Sequence, residues 1–162
     1  MGYELKVDGM AEISETLSKL EERAPAVAAK ALYEGAGIMA DEVRKSADSI
    51  RTAPFKWASS SGKTRLPSPE EKEIVQQAAA GIAKFDKNGT EVQTSVGFRN
   101  AGYAQLKGKT VPIPKIVNAI NSGTSFMKKQ PFVRKAATAG GQRAIAAMKE
   151  VIETEFDAMT KN

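Results

Sequence analysis

The sequence predicts an α+β fold in which long N-terminal and C-terminal helices pack on a small antiparallel β-sheet with a β-hairpin at Asn88-Gly89. Three observations predict it. Apolar residues recur every three or four positions from Val27 to Ile50, and again after Pro131, which is the period of a helix with one buried face. Between these stretches Val92, Thr94, Val96 and Phe98 alternate with Glu91, Gln93 and Ser95, the period of a half-buried strand. Asn88-Gly89 just ahead of that strand is a dipeptide that closes tight hairpins, because both residues tolerate positive φ. A chain of 162 residues suits one domain with a real core, so residues 1–162 are read as a single unit with an irregular projecting loop at about 52–69.

The opening residues Tyr3, Leu5 and Val7 alternate with Glu4 and Lys6, a short strand pattern that ends at Asp8-Gly9. Asp8 can cap a first helix with apolar positions Met10, Ile13, Leu17 and Leu20 and an acidic face of Glu12, Glu15, Glu21 and Glu22. Pro25 is placed as a first-turn residue of a second, separate helix, where its missing N–H costs nothing. That helix keeps its spacing through Ala28, Ala31, Leu32, Gly35, Ile38, Met39, Val43 and Ala47 to Ile50. Its seven turns span roughly 39 Å at 1.5 Å per residue. Gly35 and Gly37 inside it each cost up to about 1 kcal/mol relative to Ala, which close approach of another helix, or a bend, would explain.

From Thr52 to Pro69 periodicity stops, and prolines and a serine triplet take over. A structureless stretch of this length in a small domain points to contact with a partner. Trp57, the only tryptophan, lies there beside Phe55. The two rings either pin the loop to its own core or anchor a neighbouring molecule. A third helix starts at Ser68 or Pro69, with Glu70, Glu71 and Glu73 complementing its dipole and Ile74, Val75 and Ala78 on its inner face. After the hairpin, Tyr103, Leu106, Val111, Ile113, Ile116 and Val117 extend through a Gly- and Pro-punctuated stretch with room for one further strand. Pro131 opens the closing helix, whose Ala136, Ile145, Met148, Ile152, Phe156 and Met159 are read as sharing one face, with a kink or frayed turn at Gly140-Gly141.

Composition removes several chemistries. With neither Cys nor His, the chain has no thiolate metal site, no disulfide, and no Ser-His or Cys-His triad. Gly62-Lys63-Thr64 and Gly108-Lys109-Thr110 lack the glycine five residues upstream that a phosphate loop needs; Trp57 and Tyr103 stand there. Glu153, Glu155 and Asp157 read as a solvated face rather than an acid–base pair. The expectation is a protein that is not an enzyme, holds no cofactor and no metal, does not enter a membrane, and is soluble in the cytoplasm when made. The net charge of +5, from 24 Lys and Arg against 19 Asp and Glu, is compatible with DNA passing nearby. An acidic first helix and basic middle and late loops suit head-to-tail contact between identical copies, or ordinary solvated surface.

The stretch Gly123-Thr124 followed by Gln130-Pro131-Phe132-Val133-Arg134-Lys135-Ala136 resembles the signature of a family of small tail-component proteins of long-tailed bacteriophages and prophages, described as head-tail joining, neck or tail-completion proteins. Val7-Asp8-Gly9-Met10 with its leucine-spaced helix, the Ala-rich second helix, and Val96-Gly97-Phe98 followed by Tyr103-Ala104 are also similar to the family's pattern. One departure is that Asn121-Ser122 stand where the family usually has an acidic-aromatic pair.

This resemblance implies a structural virion protein of the tail or neck, assembled in the host cytoplasm. It would act at the head-proximal end of the tail as a homo-oligomer, in a hexameric ring touching the tail tube protein and the head connector or stopper protein. DNA would pass through the lumen with weak, non-specific contact. Candidate interface residues are Phe55, Trp57, Gly123, Thr124 and Phe132; the plainer reading of the Gly123–Phe132 motif, and the favoured one, is that it only joins a strand to a helix. Candidates to line the DNA channel are Lys63, Arg65, Lys107 and Lys109. Two other classes remain: a basic DNA-binding accessory protein, and a toxin–antitoxin or regulatory partner protein, which the tail signature disfavours.

Overall fold

The computed structural model describes residues 10–54, 63–88, 91–98 and 101–161. The expected opening strand, its Asp8 cap and the rings of Phe55 and Trp57 lie outside the described residues. The architecture is α+β, with four helices and antiparallel strands: α1 Met10–Ala47, α2 Pro69–Ala78, β1 Gly81–Ile82, β2 Asp86–Asn88, β3 Glu91–Gln93, β4 Val96–Gly97, β5 Tyr103–Leu106, β6 Lys109–Pro112, α3 Ile113–Ser122 and α4 Phe132–Thr160. Instead of one sheet, the strands form three two-stranded ribbons, β1-β4, β2-β3 and β5-β6.

The first two ribbons are one hairpin with a slip in its middle. Ile82 faces Val96, whereas Asp86 faces Gln93, so the first arm carries one more residue than the second between these pairs. An extra residue of this kind unpairs the ladder locally and adds twist. Ala83 N–H still donates to Ser95 O at 2.8 Å, and Thr94 Oγ1 donates to Ala83 O at 2.9 Å, which closes the gap. The last described pair is Asn88 with Glu91, so Asn88 ends the first arm rather than sitting inside the turn. The alternation from Glu91 to Phe98 holds: Val92, Thr94 and Val96 are half-buried and Phe98 is buried, while Glu91, Gln93 and Ser95 are exposed.

α1 corrects the expected division at Pro25. One helix of 38 residues runs through it. Pro25 deletes a single N–H and crowds one carbonyl, a cost of about 3 kcal/mol. No Gly, Asn, Asp or Ser stands between Leu20 and Ala31 to start a turn, and the Ala- and Glu-rich flanks favour helix on both sides.

α4 packs antiparallel along α1. Ser46 Oγ donates to Phe132 O at 2.7 Å, Gly140 lies against Met39 and Glu42, Gly35 lies against Met148, and Lys30 pairs with Glu155. At this register Thr160 comes level with the turn around Pro25. α1 continues beyond it from Met10 to Ala24, about 22 Å further. The contact is close: a Cβ on Gly35 would stand 2.8 Å from Met148 Cγ, and one on Gly140 would stand 2.8 Å from Glu42 Cγ. Gly35 therefore serves close approach as expected. Gly140-Gly141 neither ends nor frays α4, which is helical throughout.

Close approach also corrects part of the expected face of α4: Ala136 is buried and Met148 packs against Gly35 as expected, but Ile145, Ile152 and Phe156 are not covered. Ala136, Gly140 and Ala144 are buried against α1, while Ile145, Ile152 and Phe156 are 44%, 47% and 47% exposed. Helices drawn together by small residues leave no room for large side chains in the seam, so the bulky stripe faces outward. The core gathers at the other end. There Val43, Ala47 and Ile50 of α1 and its C-terminal extension meet Val75 of α2, Phe98, the α3 face of Ile113, Ile116, Val117 and Ile120, Met127 and Phe132. The helix α3 was not foreseen. Its apolar spacing was present in the sequence, but Pro112 and Pro114 read as breakers, whereas both sit at its start, where proline is tolerated.

Candidate functional site

The Gly123–Phe132 segment is a joint in which each residue of the motif has a partner. Gly123 ends α3 with φ +78°, and its N–H donates to Ala119 O at 3.0 Å. A Cβ there would meet Lys129 Cβ at 3.0 Å and Lys129 N at 3.1 Å, so a side chain is opposed by both backbone conformation and space. Thr124 Oγ1 accepts from Met127 N–H at 2.9 Å, and Thr124 N–H donates to Met127 O at 3.0 Å, which folds the turn on itself. Beyond the turn, Arg65 pairs with the chain as a short parallel bridge: its N–H donates to Phe126 O and its carbonyl accepts from Lys128 N–H, both at 2.8 Å. The end of the expected projecting loop is thus fastened to the body, and Pro67 and Ser68 are fully buried.

Gln130 is buried and fully used. Its amide oxygen accepts from Arg51 N–H at 2.8 Å, its amide nitrogen donates to Arg51 O at 2.9 Å, and its own N–H donates to Ile120 O at 2.7 Å. One side chain thereby ties the chain leaving α1 to the chain entering α4. Phe132 is 1% exposed and meets the ring of Phe98 edge-on at 6.2 Å. Asn121 Oδ1 accepts from Val133 N–H at 3.2 Å, supplying the first turn of α4 with a cap from the preceding helix. The residue that departs from the family pattern therefore has a local task of its own. Of the sequence-predicted interface residues, Gly123, Thr124 and Phe132 meet in this joint; Phe55 and Trp57 lie outside the described residues.

A second network anchors α2. Ser68 caps the helix: its Oγ accepts from Glu71 N–H at 3.2 Å, and the Glu71 carboxylate accepts from Ser68 N–H at 2.7 Å. Arg65 holds the same carboxylate with two N–H groups, each at 2.7 Å. Burial pushes the Glu71 carboxyl up, but hydrogen bonds from Arg65 and Ser68 together with the guanidinium charge outweigh it, and the net shift is downward from 4.5. The same hydrogen bonding, against burial, raises Arg65.

Two of the four residues expected to line a DNA channel are ion-paired within the chain. Arg65 is neutralised by Glu71, and Lys107, at the tight turn between β5 and β6, faces Glu70 at 3.3 Å. Both are thus drawn to the first turn of α2, where carboxylates meet them. Lys63 and Lys109 are exposed. Sequence reading missed a stronger signal. Between Glu91 and Glu150 there is no carboxylate at all, against ten Lys and Arg, leaving 14 of the 24 cations to share the rest of the chain with all 19 carboxylates. The joint lies inside this run. Lys128, Lys129, Arg134 and Lys135 are exposed there, none has an ion-pair partner among the described residues, and Phe126 beside them is 47% exposed. At the opposite end of the helix pair, residues 10–24 and 149–161 hold eight carboxylates and four cations.

The surface depressions are shallow. One, beside the hairpin, is lined by Ala78, Ile82, Val96, Phe98 and Ala101 and contains no ionisable group. Among the described residues no group of three or more Asp or Glu is placed to hold a metal ion, and no helix is long and apolar enough to cross a membrane. No family model matches the chain, and comparison with curated proteins and with solved structures finds no similar protein.

Proposed function

We propose that this chain is a structural virion protein at the head-proximal end of a long phage tail, which completes the tail or joins it to the head by assembling into a homo-oligomeric, hexameric ring. It performs no catalytic step. Its neighbours are the tail tube protein and the head connector or stopper protein, and passing DNA makes weak, non-specific contact. The observation that carries this reading is the outward stripe of Ile145, Ile152 and Phe156 on α4, which the other described residues leave 44–47% exposed. Large apolar side chains in a row at helical spacing signal a protein-binding face. The resemblance of Gly123-Thr124 and Gln130-Pro131-Phe132 to the tail-component signature indicates which kind of assembly it serves. The mass of the purified chain, measured by sedimentation over a range of concentration and salt, is expected to show one closed species of fixed stoichiometry. A monomer under every condition would sink the ring reading.

A second reading, a basic DNA-binding accessory protein, is favoured by the carboxylate-free run from Val92 to Lys149. It requires tight duplex binding near 0.15 M salt, with log affinity falling by about 0.9 per neutralised phosphate on the log salt axis. The ring reading expects weak binding that salt readily abolishes.

A further inference from the structure

We propose that the acidic far end of the α1/α4 pair, with the apolar stripe of α4, docks against the basic joint around Phe126, Lys128 and Lys129 of a second copy of this chain. The inference rests on the ring reading and names the two surfaces that such a ring would bring together. The two ends are opposite in charge and each exposes apolar surface. Ile152 and Phe156 lie beside Glu153 and Asp157 on one end, and Phe126 lies beside Lys128 and Lys129 on the other. The antiparallel pairing is what separates them: it sets the carboxylate-rich end of α4 toward the same end of the pair as the start of α1, and the joint with its lysines at the other end. Within one molecule the two surfaces cannot meet. Between copies they form a heterologous, head-to-tail contact, which closes into a ring when the rotation per copy divides a full turn. Opposite charges steer the encounter and fix its orientation, and the apolar side chains supply the dry centre.

The alternative occupant of the basic joint is nucleic acid. It accounts for the lysines but not for the uncovered apolar stripe or the acidic end, and a second copy satisfies all three.

The test uses the full chain with charges reversed at exposed positions. Lys128→Glu/Lys129→Glu and, separately, Glu153→Lys/Asp157→Lys are each expected to shift the sedimenting species to monomer mass, with unchanged circular dichroism and melting. Combining all four reversals in one chain, or mixing the two doubly substituted proteins, is expected to restore association. Failure of either recovery in folded protein overturns the proposed pairing. If both doubly substituted proteins keep the parent's mass, the surfaces are wrong and the ring reading stands. If the parent chain is itself monomeric throughout, both fall. Loss of duplex DNA retention by Lys128→Glu/Lys129→Glu, with its mass unchanged, overturns the proposal in favour of nucleic acid.

Discussion

The joint at Gly123–Phe132 and the distal half of the α1/α4 pair are held by different means, although the same two helices enter both. At the joint, α1, α3, α4 and the Arg65 segment converge, and nearly every polar group finds a partner inside the chain: Gln130 with Arg51 and Ile120, Asn121 with Val133, Thr124 with Met127. In the distal half the two helices meet each other, and the hairpin covers one further side of α1, where the Tyr33 and Phe85 rings lie 6.5 Å apart. The seam between the helices is made by Gly35, Gly140 and Ala144 with Met148 and Met39 laid against the two glycines, while Ile145, Ile152 and Phe156 point away from it. Packing is therefore densest at one end of the molecule, and the uncovered apolar side chains of α4 lie toward the other. Here α4 packs chiefly on α1 and so buries one stripe, and the apolar surface outside that stripe stays open to another molecule.

The largest expected effect breaks the packed end. Phe132→Ala should cost about 3–5 kcal/mol, because it empties a fully buried site against Phe98. Thermal melting reads it directly. A loss under about 1 kcal/mol would mean that the joint is looser than its hydrogen bonds imply.

Next comes the Arg65–Glu71 pair. Glu71→Ala removes the partner of a guanidinium that is only 16% exposed, and is expected to cost about 3 kcal/mol. The same pair gives the fold an acid dependence of definite sign. With its folded pKa below the ordinary 4.5, Glu71 contributes stability that is fully present above that value and is lost as pH falls through the lowered one. Chemical denaturation from pH 6 downward should show this loss, and the Glu71→Ala protein should show less of it. Identical acid profiles would remove Glu71 from the account.

Two glycines sharpen the comparison at smaller scale. Gly123→Val sets a β-branched side chain at φ +78° against the Lys129 backbone, at a cost of about 2 kcal/mol or more. Gly35→Ala asks only the flexible Met148 side chain to move, and helix propensity returns up to about 1 kcal/mol. Its net effect should stay within about 1 kcal/mol of zero. Equal melting shifts for the two would show that both regions are packed alike.

The smallest effect on the fold is expected at the stripe. Ile152→Ser/Phe156→Ser should move stability by no more than about 0.5 kcal/mol per site, since both side chains are half in water already. Any assembly that uses the stripe should weaken together with it. A large drop in melting temperature would place these residues inside the fold instead of outside it.

Local chemistry was legible in the sequence. Ser68-Pro69 with Glu71 announced the start of α2, the alternation from Glu91 to Phe98 gave the buried side of that arm though not its break into β3 and β4, and the spacing from Val27 to Ile50 marked the buried side of α1. Each of these depends on residues within a few positions of one another, where caps, turns and side-chain period act. The glycine at position 123 was visible too, as were the loss of periodicity after Thr52 and the absence of His and Cys. Gly123's positive φ and close quarters follow from the one residue type that permits both.

Tertiary structure decided the rest. Spacing alone identified an apolar stripe on α4 but not which stripe would be buried; the distance between α1 and α4 selected Ala136, Gly140 and Ala144 and turned Ile145, Ile152 and Phe156 outward. Pro25 could have ended a helix, and the flanking sequence carried the helix past it. The partners of Gln130 and Arg65 lie 79 and 62 residues away along the chain, at Arg51 and Met127, and no local pattern points to them. The charge run from Val92 to Lys149 was written in the sequence, yet only the antiparallel register of α1 and α4 turned it into one basic and one acidic end. Short-range preferences settle what each segment is. Contacts between distant segments settle which of its faces is covered, because burial is a property of the pair and not of either helix alone.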